Sequence, residues 1–99
     1  MKVHFLSCAE QEFAEAVVHF NEQRAGLGYE FAVELGNTID RIVSFPDAWP
    51  LFSRHTRRCL TNKFPYAILY QIKEDQLLII AVMHMKRAPR VWEDLLEGK

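Results

Sequence analysis

Residues 57–92 read RRCLTNKFPYAILYQIKEDQLLIIAVMHMKRAPRVW. β-Branched and aromatic side chains crowd this stretch, and it divides, with Thr56 just ahead of it, into three strands: Thr56–Leu60, Tyr66–Lys73 and Leu77–Met85. Lys73-Glu74-Asp75-Gln76 is polar enough to be the turn between the last two. Links this short make consecutive strands antiparallel, since a parallel crossover needs a dozen or more residues. Leu77–Met83 is apolar at every position instead of alternating, which requires cover on both faces of the sheet. Helices can supply one cover. The other must come from the C-terminal segment around Trp92 or from a second chain.

Outward from this core, Lys2–Leu6 alternates and reads as a short strand. Ser7 and Glu10 form the S-x-x-E pattern of a capping box, so a helix starts there. Phe13, Ala16, Val17 and Phe20 give that helix its apolar stripe, and Gly26 and Gly28 break it. A second helix carries Phe31, Leu35, Ile39, Ile42 and Val43 on one face and stops near Pro46. Two amphipathic helices joined by glycines predict a helical hairpin. Pro46–Ser53 is a loop, and Pro89 opens a terminal helical turn bearing Trp92, Leu95 and Leu96. The order is β-α-α-β-β-β: an α+β fold, a helical hairpin packed on a small antiparallel sheet with a short C-terminal helical turn. Residues 1–99 make one domain.

A chain that is 49% hydrophobic and 25% charged builds a globular core. It has neither an apolar run long enough to span a membrane nor a secretory leader. Cys8 and Cys59 fit neither a metal motif nor a disulfide framework; both are expected as buried thiols, which points to the cytoplasm. Charge is uneven along the chain. Residues 1–50 hold three cations against eight acids (net −5), and residues 51–99 hold nine cations against five acids (net +4). A basic half in a nearly neutral protein suits a local anion site better than a whole-surface grip on nucleic acid.

The cations of the basic half gather at strand ends. Arg57 and Arg58 are adjacent on one strand and point to opposite faces. His84 and Lys86 share a face at the end of the last strand, followed by Arg87 and Arg90. Arginine forks and lysine ammonium groups so placed can hold phosphate or carboxylate. The plain alternative is that these are solvated or snorkelling charges that keep strand ends soluble. Tyr66 lies near a strand start, where its hydroxyl could reach a site. Glu15, His19 and Glu22 share one helix face, a pattern more typical of a solvated surface than of a metal centre. No cofactor motif and no metal set is evident.

The helical hairpin, FPYAILY at 64–70, AVMH at 81–84 and KRAPRVW at 86–92 together resemble the RelE/ParE superfamily of type II toxin–antitoxin toxins. The resemblance implies two helices on an antiparallel sheet and a cognate antitoxin partner. It also implies one of two actions: first, metal-independent cleavage of messenger RNA on the ribosome, and as the alternative, inhibition of DNA gyrase by binding. A degenerate member that binds antitoxin without toxicity is a third outcome. On the RelE-like pattern Arg58, His84 and Arg87 become catalytic candidates, with Arg57, Tyr66, Lys86, Arg90 and Trp92 as target-binding residues. The chain departs from that pattern at Ala67, where an arginine is expected, and at Trp92, where a tyrosine is expected. A homodimer or a toxin–antitoxin hetero-oligomer is the expected assembly.

Overall fold

The computed structural model describes residues 1–86. Its elements are β1 (Lys2–Phe5), α1 (Ser7–Gln23), α2 (Leu27–Ser44), β2 (Leu51–Ser53), β3 (Thr56–Leu60), β4 (Tyr66–Lys73) and β5 (Gln76–His84). The five strands form one sheet in the order β1-β5-β4-β3-β2. Both helices lie against one face of it. The apolar stripes meet there, with Ala16, Phe20, Phe31, Leu35 and Ile42 packing on Ile68, Tyr70, Leu77, Ile79 and Val82.

The expected α+β architecture is present, with differences that have physical reasons. The sheet is mixed, because β1 pairs parallel with β5 through Lys2↔Gln76 to Phe5↔Ile79. Everything between these strands serves as the crossover, so chain length allows the parallel pairing, and the apolar β5 gains a neighbour on its outer edge. The loop expected over Pro46–Ser53 ends in β2, a three-residue edge strand too short to register as a pattern.

Helix α1 begins where the capping box places it, but no side chain caps it. Instead the Leu6 backbone serves both elements: its N–H donates to the Ile79 carbonyl (3.0 Å) and its carbonyl accepts from Glu10 (2.9 Å). Gly26 makes the turn between the helices at φ 88°, a conformation that costs a residue with a Cβ. Gly28 does not break a helix. It lies within α2, where a Cβ would run into the Val17 carbonyl and the Asn21 side chain. Its N–H donates to Asn21 Oδ1 at 2.8 Å, so the residue lets the hairpin close tightly. Cys59 is buried as expected, whereas Cys8 is exposed on α1.

The face away from the helices is buried through its middle as well: Ala67, Leu69 and Ala81 are fully inaccessible. This strip is buried within one chain, so the apolar run of β5 does not by itself call for a second copy. The helical turn expected from Pro89, with Trp92, Leu95 and Leu96, lies outside the described residues.

Candidate functional site

Strand register decides which cations can meet. Arg57 pairs with Tyr70 and Arg58 with Leu69, so Arg57 is on the helix side and Arg58 on the opposite face, beside Leu69 and Ala81. His84 pairs with Tyr66. Tyr66 belongs to the aromatic cluster under the helices, its ring centroid 5.8 Å from Phe20 and 4.8 Å from Phe31. His84 therefore shares the helix side, with its ring edge-on to Tyr66 at 5.1 Å.

A single bulge produces this outcome. The β4–β5 register shifts between Leu69↔Ala81 and Tyr70↔Ile79, leaving Ile80 as an extra residue. One inserted residue reverses the facing of everything beyond it. Without it His84 would fall on the face that carries Arg58. With it, the two candidates are on opposite faces, two strands and three residues apart, roughly 14 Å between backbones at standard sheet spacings.

Beyond His84 the main chain turns, and the Lys86 N–H donates to His84 Nδ1 (3.0 Å). That bond orients the imidazole and takes up one ring nitrogen. Lys86 is itself exposed. Arg87, Arg90 and Trp92 lie outside the described residues. Tyr66 is almost fully buried, which makes it a floor under His84 more than a surface contact.

Arg57 sits at the far end of the sheet from His84. Its Nη1 donates to the Trp49 carbonyl at 2.7 Å, and it lines a cavity of about 220 Å³ with Asp47, Leu51, Arg54, His55, Tyr70, Gln71 and Ile72. The Tyr70 hydroxyl donates to the Pro46 carbonyl at 2.7 Å. Burial outweighs the pull of Arg57 and pushes the Tyr70 pKa up to about 12, so the phenol stays protonated. Arg54 and His55 occupy the two-residue turn from β2 to β3.

Two acids escaped the sequence reading. Glu34 is only 7% exposed and accepts the backbone N–H groups of Asn62 and Lys63, tying α2 to the β3–β4 connection. A carboxylate within the apolar stripe between Phe31 and Leu35 was the available signal. Glu12 accepts the Val82 N–H at 2.9 Å, on the part of β5 that extends past β1. Burial is the main cause that raises the Glu12 pKa to about 7, against the lowering effect of that hydrogen bond; Glu15 adds a smaller upward push. The Cys8 thiol, one turn earlier on α1, donates to the Ile80 carbonyl at 3.5 Å. Side chains of α1 thus take the place of a strand at that edge, satisfying backbone groups that would otherwise be left open.

Glu15, His19 and Glu22 line a shallow groove on α1, where His19 Nε2 shares a 2.9 Å hydrogen bond with Gln23. Among the described residues no cluster of His, Cys, Asp and Glu is arranged to hold a metal ion. No helix among them is long and apolar enough to cross a membrane.

No protein-family model matches the sequence, and no curated protein does. The fold is similar to that of a solved structure of the chromosomal ParDE TA system from P. aeruginosa, with a TM-score of 0.75. The match covers 85% of this chain and 95% of that one at 9% identity. At that identity the likeness is one of fold.

Proposed function

We propose that this chain is the toxin of a type II toxin–antitoxin pair, held inactive in the cytoplasm by a cognate antitoxin. The supporting observation is the near-complete structural overlap with a chain of the ParDE system, which spans 95% of that chain. The chain inhibits growth by binding a target, as a ParE-like gyrase inhibitor does, with Lys86, Arg87, Arg90 and Trp92 as contact residues.

The placement of Arg58 and His84 on opposite faces favours this binding mode. A ribosome-dependent endoribonuclease would need Arg58, His84 and Arg87 around one phosphate, with a base, an acid and cations on the charged intermediate. That second reading retains Arg87 as its main support.

Expression of the chain with and without the product of an adjacent short reading frame separates these possibilities. Arrest relieved by that product, with gyrase-linked DNA breaks and no cuts in messenger RNA by primer extension, is the expected result. Cuts at codon edges would move the assignment to a ribonuclease, and unimpaired growth without the antitoxin would reject toxicity. Arg87→Ala is expected to relieve arrest while the protein stays folded by circular dichroism.

A further inference from the structure

The cavity at the β2–β3 turn is remote from His84, and of its lining residues Arg57 alone is among the target-binding candidates that the RelE-like resemblance names. The Arg57 partner Tyr70 and the His84 partner Tyr66 are four positions apart on β4, roughly 13 Å at the rise of a strand. Seven of its eight lining residues come from the β2–β3 hairpin and the neighbouring strand, and Asp47 comes from the preceding loop.

Its polar groups divide into two kinds. The Tyr70 hydroxyl donates to Pro46, and the Gln71 amide donates to Thr56 Oγ1 at 2.9 Å. The single Tyr70 donor is thereby occupied, and so is one of the two Gln71 N–H donors. Arg57 uses one N–H on Trp49, which fixes the guanidinium while leaving further donors. Arg54 and His55 make no side-chain hydrogen bond or ion pair among the described residues. Asp47 lines the same cavity, yet the ion pair found among the described residues is Arg24–Glu30, at the other side of the molecule.

Two guanidinium groups and an imidazole thus surround one concavity without a carboxylate paired to them. A solvated arginine needs no ligand, but a fixed one beside two further donors loses less freedom when it captures an anion. Donors arriving from a turn and from a strand do not share a plane, which suits a tetrahedral oxyanion. Asp47 on the wall penalises a second negative charge, so a singly charged phosphodiester fits better than a phosphate monoester.

We propose that Arg54, His55 and Arg57 form a binding site for a phosphodiester group at the β2–β3 end of the sheet. The test is a titration of the full chain, labelled with nitrogen-15, using a short oligothymidylate in one arm and inorganic phosphate in the other. Saturating amide shifts at Arg54, His55 and Thr56 with the oligonucleotide, and weaker binding of phosphate, are expected. Arg54→Ala, an exposed residue without an internal partner, is expected to weaken oligonucleotide binding about tenfold, the scale of one charge-assisted hydrogen bond. Its thermal melt should match that of the parent. Asp47→Asn is expected to tighten binding several-fold. Shifts confined to residues after His84, an unchanged affinity in Arg54→Ala, or phosphate binding as tightly as the oligonucleotide would each overturn the assignment.

Discussion

The two ends of this sheet treat charge in opposite ways. At the end where β3 connects to β4, two acids are drawn into the structure. Glu34 is buried against the amides of Asn62 and Lys63, and Glu12 reaches β5 nearby to accept the Val82 N–H. Phe20, Phe31, Phe64 and Tyr66 pack between them, with Phe20 and Phe64 ring centroids 4.9 Å apart. At the other end, Arg54 and His55 sit exposed on a turn, and Arg57 has a carbonyl partner instead of a carboxylate. A buried charge must find hydrogen bonds inside the protein or lose its charge, whereas an exposed one can keep its donors for something else. The first end commits two acids to holding the fold beneath His84, and the second leaves its cations without a carboxylate partner.

The strongest way to break this contrast is to remove the buried acid. Glu34→Ala strips two backbone amides of their acceptor and is expected to cost about 1–3 kcal/mol in urea unfolding. Asn62 and Lys63 are exposed, so water replaces part of the lost bonding and the value should fall toward the lower end. Glu34→Gln keeps an acceptor and should cost less. A loss near zero for the alanine variant would show that the β3–β4 connection does not depend on this carboxylate.

Glu12 offers a sharper test, because its charge can be titrated in place. Its folded pKa of about 7 lies above the ordinary 4.5, so the folded state binds the proton more tightly than the unfolded chain. The stabilisation linked to that proton is fully present below pH 4.5 and is lost as pH rises through about 7. Glu12→Gln removes the charge and keeps an acceptor for Val82. Its melting temperature is expected to exceed the parent's at pH 8 and to converge with it near pH 5. Parallel melting curves across that range would remove Glu12 from the set of buried charges.

The smallest effect is expected at the exposed end, in the β4–β5 turn. Glu74 and Asp75 adopt φ of 52° and 61°, the pair of left-handed conformations that a two-residue hairpin turn demands and that asparagine and glycine adopt more readily. Replacing them with Asn and Gly should stabilise the fold by about 1 kcal/mol in the same unfolding assay. No gain would mean that contacts of the native side chains offset their backbone cost.

Much of this architecture can be read from residue pattern. The boundaries of β3 and β4 coincide with the expected ones, β5 starts and ends one residue early, and α2 stops just before Pro46. The apolar stripes of both helices are the ones that meet the sheet. Pattern suffices there because each segment is long enough for burial to impose its period. The three residues of β2 carry too little pattern, and the parallel β1–β5 pairing joins segments from the two ends of the described chain. Arg54 and His55 carry no site signal in the sequence, because an isolated turn says nothing about what surrounds it.

Sequence alone determined the types of element, their order, the buried stripes and the basic character of the second half, since local periodicity and composition are properties of the chain itself. Tertiary structure decided which side chains become neighbours. Alternation already separated Arg57 from Arg58, but the extra residue at Ile80 turned His84 toward Tyr66 and away from Arg58. A strand has a side-chain period of two, so one bulged residue reverses the facing of all that follow. That choice depends on how β5 fits against β4 and α1, which no single segment encodes.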